Sequence, residues 1–164
     1  MHAQERRQEI LKLLHQSAHP ISASALAERF SVTRQVIVGD IALLRSGGAD
    51  ILATPRGYCI QGAAPGLVRR VAVRHTPHRM ETELNIMVDN GCTVVDVIVE
   101  HPVYGQLTAP LALSSRYDVK QFIQRMAESH AQPISALTGG VHLHTLSCPS
   151  EEIFCLLKTT LQNM

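Results

Sequence analysis

The stretch Thr138-Gly139-Gly140-Val141-His142-Leu143-His144-Thr145 constrains this chain more than any other. Apolar residues alternating with histidines behind a glycine pair predict a strand, and side chains two apart on a strand share a face. His142 and His144 then project together, with Cα atoms about 6.7 Å apart. That reach suits the gripping of one metal ion. Two imidazoles are too few for a tight site, so one or two further nitrogen or oxygen donors must come from elsewhere, with His75 and Glu83 the best candidates. Taken alone, such a pair is more commonly two polar residues on the wet face of a strand.

A chain of 164 residues makes one ordinary domain or two small ones, and with three Tyr, three Phe and no Trp its core must be aliphatic. Charge divides unevenly. Residues 1–62 carry seven Lys/Arg against five Asp/Glu, and the remainder eight against nine. The first part leans basic, though too slightly to establish nucleic-acid binding by charge. Six of the nine histidines fall in the second part. Cys59, Cys92, Cys148 and Cys155 form no C-x-x-C pair and no secretory signal is evident, so free thiols and a cytoplasmic location are expected. The apolar runs are too short for a membrane span, which needs roughly 20 residues.

Residues 1–62 read as helix, turn and helix. Ala3, Arg7, Ile10 and Leu14 set a helical period over 3–16, and His19-Pro20 breaks it. Ser22 can cap a short helix over Ala23 to Phe30. Thr33 can cap a third, along which Ile37, Ile41 and Leu44 recur toward Leu26, Phe30 and Val32. Arg34, Gln35 and Val38 are left outward near its start, where a major groove would be met. Arg can pair with guanine, Gln with adenine, and Thr33 can meet a phosphate. Beyond Gly47-Gly48, two short apolar stretches joined by Thr54-Pro55-Arg56-Gly57 predict a hairpin over Asp50 to Gln61, with Arg56 at a basic tip.

The residues Ser22 to Phe30, Val32 to Ile37, Asp40 to Arg45 and Pro55-Arg56-Gly57-Tyr58 resemble the winged helix-turn-helix that begins biotin-repressor-like bacterial regulators. The resemblance covers the first 62 residues and implies operator DNA as the partner. Gly39 departs from it. Such proteins usually carry a larger, often polar residue there, so a base or phosphate contact is expected to be missing, at a helix-propensity cost of about 1 kcal/mol.

Gly62 to Gly66 predicts a hinge, and a second domain is expected over 67–164. Strand and helix signals alternate through it. Leu67 to His75 reads as a strand with Val71, Val73 and His75 on one face, and Pro77 opens a helix through Val88. Val94 to Glu100 and Tyr104 to Leu113 are strands, followed by a helix from Ser115 or Arg116 to about Ser129. Ile134 to Leu137 and Val141 to Thr145 are expected to form a strand pair around Gly139-Gly140, before a last helix capped by Ser150. The expected order is βαββαββα, making the chain α+β: a winged helix-turn-helix followed by a two-layer α/β sandwich with a mainly antiparallel sheet.

Val99 to Gly105, Ser115 to Val119 and Leu137 to His144 resemble the three-histidine domain. With the winged helix in front, nearly the whole chain is similar to the nicotinate-responsive repressors of NAD biosynthesis. The resemblance implies an HPr-like second domain holding a divalent transition metal through a His, a Glu eight residues on, and the H-x-H pair. Those positions here are His75, Glu83, His142 and His144. The residues agree: His75 ends a strand on the face of Val71 and Val73, and Glu83 lies one turn from both Met80 and Met87. His78, the rival to His75, reads as an exposed residue in a first helical turn.

His101 is either a turn histidine before Pro102 or, with Tyr104, a contact for an effector. Arg116, at a helix start, would suit the carboxylate of an aromatic acid. Nicotinic acid as co-repressor, a homodimer on a palindromic operator, and zinc, nickel or iron as the metal are what the resemblance and the imidazole-rich ligation imply. Two other functions compete: a repressor sensing the metal itself, and a metal-dependent hydrolase fused to a DNA-binding domain.

Overall fold

The computed structural model describes residues 2–60 and 66–164, and the chain divides into two compact units, Met1–Ala63 and Ala64–Met164. The hinge expected at Gly62 to Gly66, and Gln61 at the end of the hairpin, fall wholly or mainly on residues 61–65, outside the described residues.

In the first unit α1 (Ala3–Gln16), α2 (Ala23–Arg29) and α3 (Arg34–Ser46) precede a hairpin of β1 (Ile51–Thr54) and β2 (Gly57–Ile60). Both expected caps form: the Ser22 hydroxyl accepts from Ala25 N at 3.1 Å and that of Thr33 from Val36 N at 3.3 Å. Ile10, Leu14, Leu26, Ile37, Ile41 and Ile51 build the core. The inward row of α3 also carries a charge that the apolar pattern did not reveal. Asp40 is buried, and it is held by Arg6 Nε at 2.6 Å and Arg7 Nη1 at 3.5 Å, tying α1 to α3. A carboxylate so placed is costly unless paired, and two guanidinium groups pair it. The hairpin is anchored by Ile21, which exchanges backbone hydrogen bonds with Tyr58 at 2.9 and 2.8 Å.

In the second unit β3 (Leu67–Arg74), β4 (Thr93–His101), β5 (Gly105–Leu113) and β6 (Val141–Cys148) form one antiparallel sheet in the order β3-β6-β4-β5. The helices α4 (Met80–Asp89), α5 (Arg116–Glu128) and α6 (Glu151–Gln162) supply Leu84, Met87, Val119, Leu157 and Leu161 to its core. The strand expected at Ile134 to Leu137 does not exist. Ile134–Thr138 is a 3₁₀ turn, so the element order is βαββαβα. The reason is topological: β6 already pairs with β3 on one side and β4 on the other, leaving no edge for a hairpin partner. Locally, Thr138 Oγ1 donates to Ser135 O at 3.2 Å and Gly140 N to the same oxygen at 2.9 Å, closing the turn on itself.

Strict alternation along β4 would put Val95, Val97 and Val99 on one face, and the strand departs from it. A bulge between Val94 and Asp96 shifts the register. Val94, not Val95, therefore joins Val97 and Val99 in the buried row.

Candidate metal centre and nucleic-acid interface

The centre lies between β6, the end of β3 and the buried face of α4. His142 and His144 face Val73 and Val71 across β3, and His144 also faces Val97 across β4. Val71 and Val97 belong to the helix-covered core and Val73 packs against it, so the histidine pair points inward rather than to water. Glu83 shares the inward row of α4 with Leu84, Met87 and Val88 and is fully buried. His75 follows the last residue of β3.

Gly140 fixes the two halves together. Its φ is +93°, and a Cβ there would lie 2.4 Å from the carbonyl oxygen of His75, so only glycine fits. Gly140→Ala is expected to cost about 1–3 kcal/mol through its backbone conformation alone. Thermal melting and metal analysis check this: an unchanged melting point with full metal content would refute it.

All three imidazoles aim Nε2 at one carboxylate. His75 Nε2 lies 2.6 Å from Glu83 Oε2, while His142 Nε2 and His144 Nε2 lie 3.1 and 3.3 Å from Oε1. Adjacent rings stand nearly perpendicular, with centroids 4.9 Å apart for His75 and His142 and 5.0 Å for His142 and His144. Donor atoms of His75, Glu83 and His142 lie within 4.8 Å of one another, and His144 reaches the group through its contact with Glu83.

The opposite nitrogen of each ring decides the chemistry. Nδ1 of His75, His142 and His144 donates to the carbonyls of Thr76, Gly140 and Asp96 at 2.8, 2.9 and 2.8 Å. Each neutral ring is thereby fixed with its proton on Nδ1, so three Nε2 lone pairs confront a buried carboxylate. That arrangement is repulsive unless positive charge sits among the four groups, carried by extra ring protons or by a metal ion. Burial would raise the pKa of Glu83, but its contacts with His142, His144 and His75 hold it well below the usual carboxylate range. His75 in turn is raised above the ordinary imidazole value, chiefly by Glu83.

The donor set fits a divalent transition metal. Ligand bonds of about 2.1 Å place neighbouring donors roughly 3.0–3.4 Å apart, close to the separations found here, and backbone carbonyls already orient every ring. Three imidazoles and one carboxylate match zinc, nickel or iron better than calcium or magnesium.

Other expected residues lie elsewhere. His78 is exposed on the turn before α4. His101 Nδ1 accepts from the backbone N–H groups of Val103 and Tyr104, each at 3.1 Å, and its ring lies 4.9 Å from that of Tyr104, so it caps the β4-β5 turn. Arg116 closes its guanidinium fork on Asp89 at 2.7 and 2.5 Å. Asp89 ends α4, six residues after Glu83 and so about 9 Å further along the axis.

A cavity of about 460 Å³ opens instead beside His75, lined by Arg74, Thr76, Pro77, Ser135, Ala136, Gly139 and Gly140. The sequence reading missed Arg74 and Ser135 as its lining. The glycine pair that precedes the histidines was the available signal.

In the first unit Arg34, Gln35 and Val38 are exposed on the outer side of α3 behind the Thr33 cap, and Arg56 sits in the turn of the hairpin. The four residues therefore occupy a helix start and a neighbouring hairpin tip, the elements through which winged helices meet DNA.

Comparison with known proteins matches both units. An HTH domain is recognised over residues 6–59 and a 3H domain over residues 68–164. The chain is 49% identical to the probable transcription repressor NiaR of Thermotoga maritima over 149 residues, which span 91% of this chain and 85% of that protein. It is 44% identical to the transcription repressor NadR of Bacillus subtilis over 150 residues, 89% and 83% of the respective chains. With a helix-turn-helix in front of an antiparallel sheet that gathers three histidines on one glutamate, the chain belongs to the family of 3H-domain transcription repressors.

Proposed function

We propose that this repressor binds operator DNA as a homodimer, silences genes of NAD biosynthesis, and takes nicotinic acid as co-repressor beside a divalent metal in its 3H domain. His75, Glu83, His142 and His144 hold the ion. The observation that carries the reading is the cavity beside His75, which joins a metal-ligand cluster to a cationic side chain, Arg74. When bound, the ion supplies a Lewis-acidic position that accepts a heteroaromatic nitrogen. Arg74 offers the carboxylate a charge-assisted partner, and Ser135 and the glycine turn bound the ring. Because Arg116 is already paired with Asp89, Arg74 takes the carboxylate role that the sequence reading gave to Arg116. The same cavity favours an organic effector over the metal as the sensed species. Operator affinity measured with and without nicotinic acid tests the reading: no change would defeat the co-repressor role.

On DNA, Arg34 reads a base edge while Arg56 meets the backbone. Arg34→Ala is expected to cost about 1–3 kcal/mol on the operator and to spare weak nonspecific binding. Arg56→Ala should weaken both and flatten the dependence on salt. Equal losses of Arg34→Ala on both DNAs would remove it as a base reader.

A further inference from the structure

Gly39 is the one described glycine with ordinary helical backbone and open space around it. The others at which a Cβ would meet nothing within 4 Å, Gly48, Gly105 and Gly139, have φ between +62° and +96°. Gly57 and Gly140 are held against backbone atoms, and Gly47 ends α3. Gly39 sits in the interior of α3, where, beyond its chain neighbours and the helix's own backbone, an added Cβ meets no atom of the described residues within 4 Å. Glycine is among the worst helix formers, so the fold would be better served by alanine. Nothing among the described residues requires its absence of a side chain.

The helical period puts Gly39 on the side of α3 opposite the buried row of Ile37, Asp40 and Ile41. Gln35, Ala42 and Ser46 share that outer ridge, and all three are exposed. Val38 and Leu43 flank it, 40% and 56% exposed, as apolar side chains turned to the outside. Arg34 lies one turn before Val38 on the same exposed surface. A backbone bared at the centre of a ridge, between exposed methyl groups, allows an external surface to approach the helix axis closely.

We infer that Gly39 is a specificity-determining residue of the DNA interface: its bare backbone seats α3 deep in the major groove, bringing Val38 against a thymine methyl group. The inference rests on the reading that α3 is the helix in the groove. Thymine is the base that offers an apolar group there, and a β-branched side chain next to a glycine can reach it only when the helix lies close. Gly39 then contributes by what it lacks, rather than marking a contact that has been lost.

The test uses the full chain with nicotinic acid present and a duplex selected by the wild-type protein from a randomised pool. Gly39→Ala is expected to raise the melting temperature while lowering affinity for the selected duplex at least tenfold. Its affinity for a random-sequence duplex should change less than twofold. A fresh selection with Gly39→Gln should return a different sequence at the base pairs facing Val38. Affinity of Gly39→Ala within twofold of wild type would overturn the inference, as would a lower melting temperature, which would give the glycine a structural reason. Arg34→Ala, measured in parallel, separates the two levels. If it also binds the selected duplex as wild type does, the placement of α3 in the groove is wrong and this inference falls with it. If Arg34→Ala is weakened and Gly39→Ala is not, only the role of Gly39 falls.

Discussion

His142→Ala protein should lose its metal, and His78→Ala protein should keep it. His142 places Nε2 3.1 Å from Glu83 Oε1 and Nδ1 2.9 Å from the carbonyl of Gly140, so removing it takes away a donor and opens one wall of the centre. His78 lies outside the cluster and exposed, and its loss changes neither. The expected difference extends to stability, because an ion bound only by the folded state stabilises it by mass action. At free metal 100 to 1,000 times the dissociation constant the gain is about 2.7–4.1 kcal/mol. A chelator should therefore lower the melting temperature of wild type and His78→Ala and leave that of His142→Ala unchanged. Glu83→Gln guards against a trivial unfolding result, since it keeps the size of the buried side chain but removes the charge that the ion neutralises. If His142→Ala retains full metal content, or the chelator leaves wild type unmoved, the cluster is held by ring protons and not by metal.

The centre was legible because each of its residues leaves a local trace. His142 and His144 stand two apart in a strand, which puts them on one face whatever the rest of the sheet does. Glu83 lies on the helical row of Met87, and His75 on the alternating row of Val71 and Val73, so both were expected to point inward. What lay beyond reach was long-range. The edges of β6 are both taken, by β3 and β4, and only that pairing turns Ile134–Thr138 into a 3₁₀ turn instead of a strand.

Asp40 was missed for a similar reason. Its partners Arg6 and Arg7 are more than thirty residues away, and no local pattern reports an ion pair between helices. The bulge between Val94 and Asp96 is likewise set by pairing with β5 and β6, and it moves one valine out of the core row that strict alternation predicts. Arg116 stands at a helix start, a favourable anion site in general, and no local pattern reports its pairing with Asp89 from a neighbouring helix.

Nicotinic acid should tighten operator binding by roughly 5- to 150-fold, the usual range for coupling between sites, and the effect should vanish when the metal is stripped. His75 belongs both to the cluster and to the cavity, Gly140 lines the cavity while its carbonyl orients His142, and Arg74 pairs across the sheet with Val141 next to His142. An effector seated there bears on the ends of β3 and β6 at once. On the proposed reading, stripping the metal would leave three Nε2 lone pairs against Glu83 and loosen those strand ends, and the ion would thereby hold the wall that the effector needs. Linkage makes the coupling reciprocal: operator DNA must tighten nicotinic acid by the same factor, which calorimetry on the preformed complex can read. Nicotinamide, with the same ring and no charge, gives Arg74 nothing to pair with and should couple far more weakly. Arg74→Ala should reduce the response to nicotinic acid toward that of nicotinamide while leaving metal content intact. A nicotinic acid response of undiminished size in metal-free protein would remove the metal from the regulatory path, and one undiminished in Arg74→Ala would place the carboxylate elsewhere.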